Sequence, residues 1–238
     1  MNEFLQRLFL ANSSLGGRNM ILYTSYYKDD ARQHELDTCL FYNLTNPIFR
    51  RIIVFNEAGE LPQNARNVQN AEIVHSVATT NRLTFSDFFR YANEIDQDDI
   101  HVLINSDIII GSGFHTIQLE HNQAMCVSRR ELHEDGSSSI EIGGGSHDAW
   151  IWRGKMKEDI GNFYMGKMLC DGVLANQLVE AGYKLKNPAK GLPIYHYHLS
   201  QVRHYGWHDA IRGRRRGINM TDHDHIFSEL DLYEDGWN

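Results

Sequence analysis

Along the first half of this chain, β-rich apolar runs alternate with stretches whose apolar residues are spaced for a helix. Residues 20–27 (MILYTSYY) read as a strand that ends at the polar turn Lys28-Asp29-Asp30. Residues 31–46 put Leu36, Cys39, Leu40 and Leu44 on one stripe, and Pro47 ends the pattern, so a helix is predicted there. Residues 51–55 (RIIVF) predict a second strand and residues 73–77 a weaker third. Residues 85–95 predict a helix capped by Ser86, with Phe88, Phe89 and Tyr91 supplying its bulk. Residues 100–104 then predict a core strand that delivers Asn105 and Asp107. This order implies right-handed crossovers, a mainly parallel sheet and an α/β fold.

The texture changes after residue 115. Residues 124–128 and 149–152 read as short strands divided by a polar loop, 131–146, that carries Gly143-Gly144-Gly145. Residues 171–181 predict a helix closed by Gly182 at its C′ position. Residues 195–199 (YHYHL) alternate as a strand should. From residue 206 onward the chain is charged and irregular. The expected organisation is one domain over 1–238, with an N-terminal arm at 1–18, a C-terminal tail at 206–238 and no internal repeats.

With 42% hydrophobic and 11% aromatic residues, the chain can bury a real core and is not disordered. Lys and Arg number 23 against 31 Asp and Glu, a net charge of −8, so no global field draws it to nucleic acid or anionic membrane. Cys39, Cys126 and Cys170 have unrelated spacings, which suits free thiols in a reducing compartment. Residues 1–10 are too broken for a signal peptide, and no stretch is long and apolar enough to span a membrane. A soluble, cytoplasmic protein is expected.

The first chemical candidate is Asp107. A carboxylate where a core strand emerges must be solvated, paired or bound to a metal, and open α/β sheets bind ligands at the carboxyl ends of their strands. His196 and His198, two apart on a predicted strand, face the same side; imidazole with carboxylate suits Mn²⁺ or a similar ion, and equally a hydrogen-bonded core histidine. Asp171 opens a helix, which fits an N-cap as well as a general base. Asp148 follows the glycine-rich loop, which reads as a cover for a ligand or as a plain connection. Arg82 lies in a loop, where a guanidinium can pair with phosphate or base or simply be solvated. The run Arg212–Arg216 (RGRRR) is the one concentrated basic patch, either phosphate-binding or a solvated charge run, and Asp222-His223-Asp224-His225 has the look of a metal tract in a polar tail. No glycine-rich loop follows the first strand, which argues against a dinucleotide oxidoreductase and a P-loop enzyme. The chain also lacks a Gly-x-Ser-x-Gly elbow and a Cys-x-x-Cys pair, which argues against a serine hydrolase and a structural zinc site.

Taken in order over roughly residues 20–205, these pieces resemble the GT-A fold glycosyltransferases, in particular a small stand-alone branch. Asn105-Ser106-Asp107 is similar to the family's Asp-x-Asp motif, with Asn in place of its first acid. Trp150-Ile151-Trp152-Arg153, Gly161-Asn162-Phe163 and Asp171 are similar to its downstream elements, with Cys170 where the family has Glu, and Tyr195-His196-Tyr197-His198 to its late histidine strand. The resemblance implies a Rossmann-like, mixed and mainly parallel sheet flanked by helices. It implies that Thr24, Ser25, Tyr26 and Arg82, with Asn105, Ser106, Asp148, Arg203 and Tyr205, contact a nucleotide-sugar donor, expected to be UDP-linked. Asp107 and His198, taken narrowly ahead of His196, would hold a divalent cation (Mn²⁺ or Mg²⁺).

The activity implied is transfer of a hexose or pentose from a nucleotide diphosphate to an acceptor hydroxyl, with inversion and with Asp171 as the base. The acceptor stays open among a glycan, a protein side chain, a small molecule and a hydroxymethylated DNA base, the last being a form of DNA modification. Two rival readings are a nucleotidyltransferase and an inactive sugar- or nucleic-acid-binding module, the latter kept alive by Asn105.

Overall fold

The computed structural model describes residues 20–57, 61–66, 74–79, 82–95, 98–140, 146–223, 227 and 232–234. The expected arm at 1–18, the Gly143–Gly145 segment, and Asp224 and His225 lie outside them.

The first half of the chain builds β1 (Met20–Tyr26), α1 (Gln33–Leu44), β2 (Arg51–Asn56), α2 (Gln63–Arg66), β3 (Val74–Ala78), α3 (Phe85–Asn93) and β4 (Ile100–Ile104). The main sheet is completed by β6 (Gln123–Val127), β9 (Ala149–Arg153) and β10 (Lys184–Lys186), in the order β10-β6-β9-β4-β1-β2-β3. Four pairings are parallel, β1–β2, β1–β4, β2–β3 and β6–β10. Strand β9 runs antiparallel between β4 and β6. The sheet is therefore mixed and mainly parallel, as the sequence pattern predicts.

Side chains alternate across this sheet and feed a core on each face. Met20, Leu22, Ile52, Val54, Val102, Ile104 and Ile151 pack with Leu36, Leu40 and Leu44 of α1. The residues between them, Ile21, Tyr23, Ile53, Phe55, Leu103, Trp150 and Trp152, pack with Phe85, Phe88 and Phe89 of α3 and with Leu174 and Leu178 of α4 (Cys170–Glu180). Because both faces are covered, the central strands read as unbroken apolar runs.

A second sheet, in the order β5-β11-β7-β8, grows from the carboxyl ends of β4 and β6. Its strands are β5 (Ile108–Ile110), β7 (Arg130–Leu132), β8 (Ser138–Ile140) and β11 (Ile194–His196). The stretch read as a polar loop, 131–146, thus contains the end of β7 and all of β8. The strand expected at 195–199 stops at His196. A two-stranded ribbon joins β12 (Arg216–Ile218) to β13 (Leu232–Glu234), inside the expected tail.

Two helix starts also depart from expectation. Helix α3 is capped by Thr84 rather than Ser86: the Thr84 hydroxyl accepts from the Asp87 N–H at 3.2 Å, and Asp87 accepts from the Thr84 N–H at 2.8 Å. Helix α4 begins one residue before Asp171, and its N-cap, Leu169, has φ +67° and no side-chain cap. A left-handed leucine is uncommon and costly, and such outliers cluster at functional sites. No helix among the described residues is long and apolar enough to cross a membrane.

Candidate active site

The strand order fixes where a ligand can sit. From β1 the chain steps to β2 and then β3, and returns through α3 to β4 on the other flank of β1. Between β1 and β4 the connections diverge, leaving a crevice at the carboxyl ends of the two strands. A cleft of about 700 Å³ opens there, lined by Ser25 near the end of β1 and Tyr27 just beyond it, and by Asn105, Ser106 and Asp107 after β4. The Ser25 and Ser106 hydroxyls meet at 3.0 Å across the switch.

Asp107 is one of the lining residues, and its side chain is largely buried. Its Oδ2 accepts from Arg32 Nη2 at 2.8 Å and lies 3.3 Å from His196 Nε2. His196 arrives from far along the chain because β11 pairs antiparallel with β5, setting His196 opposite Ile108. Its Nδ1 bonds Glu131 Oε2 at 2.7 Å. His198 lies just beyond, its ring 5.1 Å from that of His196, and its Nε2 donates to the Val202 carbonyl at 2.8 Å. Ligand atoms of Asp107, His196 and His198 all fall within 4.8 Å of one another.

The electrostatics follow from this packing. Burial alone would raise Asp107, but His196 and Arg32 outweigh it and hold the carboxyl well below the usual carboxylate range. Burial would lower His196, but Asp107 and Glu131 push it up to about 9. Glu131, against burial, is held at about 2 by His196 and Arg129. His198 moves the other way, lowered by burial and by the nearby charges of Arg32 and His196.

One carboxylate with two imidazoles is a donor set that fits Mn²⁺ and similar ions. Glu131 on His196 Nδ1 leaves Nε2 facing Asp107, and the Val202 carbonyl on His198 Nε2 leaves Nδ1 to coordinate. Carboxylates and carbonyls behind metal-binding histidines orient them in this way.

A second carboxylate pair occupies the other side of the cleft. Asp148 is buried; Arg129 Nη1 reaches both of its oxygens, at 3.2 and 3.1 Å, and Asn105 Nδ2 donates to its Oδ1 at 2.7 Å. Asn105 therefore uses its amide to hold a carboxylate from the neighbouring strand. Asp171 projects from the first turn of α4. Cys170 Sγ donates to its Oδ1 at 3.0 Å and the His147 N–H to its Oδ2 at 3.4 Å. Burial, then the adjacent Asp148 carboxylate, raises Asp171 to about 7. Its carboxylate caps no helix N–H, so the N-cap role open to it in the sequence falls to Leu169.

Of the residues expected from sequence, Ser25, Arg82, Asn105, Ser106, Asp107, Asp148, Asp171, His198, Arg203 and Tyr205 all line this cleft. Thr24 and Tyr26 do not: both are buried, and the Tyr26 hydroxyl donates to Asp37 at 2.7 Å. The strand alternation that sends them away brings Ser25 and Tyr27 to the cleft instead. Arg82 donates to the carbonyls of Met165 and Gly166 at 3.0 and 2.9 Å. Three residues of the site, Arg32, Arg129 and Glu131, are not singled out by the sequence pattern. Glu131 lies on the unanticipated second sheet and Arg129 immediately before its strand β7, whereas Arg32, at the start of an amphipathic helix beside Asp29-Asp30, is open to notice. The RGRRR run is solvated in part: Arg212 and Arg214 are exposed, Arg214 lying 4.0 Å from Glu180, whereas Arg215 is buried.

No protein-family model and no curated protein matches this chain. Among solved structures it is similar to the apo-form glycosyltransferase GlyE of Streptococcus pneumoniae TIGR4, at TM-score 0.40 and 12% identity, over 77% of this chain and 55% of that one. It is also similar to the galactosyltransferase LgtC solved in complex with donor and acceptor sugar analogues, at TM-score 0.41 and 10% identity, over 75% of this chain and 86% of that one. The chain thus spans about half the length of the first of these, 55%.

Proposed function

We propose that this cleft transfers a sugar from a nucleotide-diphosphate donor to an acceptor hydroxyl, on a GT-A-like sheet, with a divalent cation and with inversion. The observation that carries this reading is the gathering of Asp107, His196 and His198, with ligand atoms within 4.8 Å of one another, in the same cleft as Asp171. A donor set for a divalent transition ion and a carboxylate raised to about 7 are two parts such a transfer uses.

The roles follow from the contacts. Asp107, His196 and His198 would hold Mn²⁺ or a similar transition ion, a set with too much imidazole for Mg²⁺; when bound, the ion neutralises charge on the departing diphosphate. Glu131 and the Val202 carbonyl keep the two imidazoles oriented. Ser25, Ser106 and Tyr27 line the crevice that would receive the nucleoside, and Arg203 is the cation offered to the diphosphate. Asp171 accepts the acceptor's hydroxyl proton as that oxygen attacks the sugar carbon and the bond to the diphosphate oxygen breaks. Asp148, fixed by Arg129 and Asn105, keeps Asp171 basic enough to do so near neutral pH.

A panel of nucleoside-diphosphate sugars, each run with and without Mn²⁺ in a thermal-shift assay, tests the reading. One donor is expected to raise the melting temperature only with metal, by mass action on the native state. Asp107→Asn, compared with its own ligand-free melting point, is expected to lose that shift. A folded protein that responds to no donor in the presence of metal would overturn the proposal.

A further inference from the structure

We propose that the mouth of this cleft is an acceptor subsite for a neutral saccharide, built on the exposed rings of Trp207 and Tyr164; its role as an acceptor subsite rests on the transfer reading above. Among the described residues these are the large apolar side chains left exposed, Trp207 at 69% and Tyr164 at 48%. Both lie on segments that run along the cleft. Tyr164 immediately precedes five consecutive lining residues, Met165 to Leu169, and Trp207 follows the lining residues Arg203, His204 and Tyr205.

The two ring-bearing segments are fastened side by side. Lys167 Nζ donates to Asp209 Oδ1 at 2.8 Å, and the Ile211 N–H to the Met168 carbonyl at 2.9 Å. Each ring also stands on fixed backbone. Tyr164 forms a β-bridge with Thr84, and Trp207 opens a single 3₁₀ turn closed by the Ala210 N–H on its carbonyl at 3.2 Å. Rigid aromatic anchors bind at low entropic cost.

Charge pairing selects the ligand. A polyanionic acceptor needs uncommitted cations for its phosphates. Of the arginines and lysines lining the cleft, Arg32 is held by Asp107, Arg129 by Asp148 and Glu131, Lys167 by Asp209, and Arg82 by two carbonyls. Arg203 alone has no such partner, and one guanidinium answers a donor diphosphate rather than a strand of phosphates. An uncharged ring carrying C–H faces for the aromatics, and hydroxyls for Asp171 and Glu57, matches what remains.

The test is calorimetric titration of the full chain, with Mn²⁺, against lactose, cellobiose, maltose and mannobiose, and against a short DNA duplex carrying 5-hydroxymethylcytosine. At least one disaccharide is expected to bind. Trp207→Ala is expected to weaken it by roughly tenfold or more, as removal of a stacking ring does, and Trp207→Phe to retain part of the affinity. An unchanged melting temperature for both variants excludes a folding defect. Disaccharide affinity that survives in the Trp207→Ala, Tyr164→Ala double variant would overturn the subsite, as would salt-sensitive binding of the duplex or no response to any disaccharide. A donor-dependent thermal shift that persists through such a failure leaves the transferase reading standing. Trp207-dependent saccharide binding without any donor shift would instead keep the saccharide site and remove the transfer reaction.

Discussion

Asp171 is pulled in two directions. Burial and the Asp148 carboxylate raise it, while hydrogen bonds from the Cys170 thiol and the His147 N–H, and the more distant Arg129, draw it back, leaving it at about 7. Activity carried by the ionised form is expected to fall as pH drops through about 7. Removing the thiol in Cys170→Ala removes a lowering influence, so the acid limb of kcat/KM moves to higher pH; Cys170→Ser keeps a donor and keeps the limb in place. Stability gives an independent reading of the same group. Its folded pKa lies above the unfolded value, so the native state bears no penalty well below pH 4, a growing one between about 4 and 7, and the full one above about 7. Asp171→Asn is therefore expected to lower turnover by about 10²–10⁴-fold while melting higher than wild type at pH 8, an advantage that shrinks towards pH 4. An Asn variant that melts lower than wild type at pH 8 would contradict the buried, raised carboxylate.

At the scale of elements, Asn43 is a buried polar tie between a helix and a strand. From α1 its Nδ2 donates to the Ile108 carbonyl at 2.7 Å, and its Oδ1 accepts from the Ile110 N–H at 3.0 Å. This fastens the helix to β5, the strand that follows Asp107. Asn43→Ala strands both backbone groups in the interior and is expected to cost roughly 2–4 kcal/mol in urea unfolding. Thr84→Ala, which removes a capping box, is expected to cost about 1 kcal/mol, and Ser86→Ala clearly less.

These elements also explain what the sequence could and could not disclose. Runs such as MILYTSYY and IHVLI announce strands because both their faces are buried, and the Asn-Ser-Asp that ends the second of them announces the site. The second sheet was hidden because its strands are three residues long and pair across large gaps, Ile194 with Ile110 and Tyr195 with Arg130. Three residues are too few to establish alternation, and no local pattern encodes a partner so distant. Glu131 rides on that sheet and Arg129 enters it, so both are hidden with it. His196 and His198 were visible as a pair, but the register that sets His196 against Asp107 was not. Thr84 lost to Ser86 because both are sound caps by residue type, and the choice rests on where the backbone turns helical.

For the molecule as a whole, a net charge of −8 coexists with a cleft whose acids and bases are arranged in pairs, so the binding surface is far more balanced than the total suggests. The most consequential of those pairs joins Arg32 to Asp107. Arg32 is itself buried and lies 3.2 Å from Glu35, which in turn accepts from the Ser200 N–H at 2.6 Å. Under the proposed function, guanidinium and divalent ion are rivals for one carboxylate, so loading is an exchange rather than a simple capture. Its kinetics should carry that signature. The observed rate of Mn²⁺ uptake in stopped flow is expected to level off as Mn²⁺ rises, with departure of the guanidinium as the ceiling. Arg32→Gln should lift the ceiling and tighten binding. A wild-type rate that climbs linearly with Mn²⁺ throughout would mean the arginine never stands in the way. On the way out the guanidinium would close on Asp107 as the ion leaves, so a lost ion returns only at that same ceiling rate, and the arginine sets how long the site stands empty.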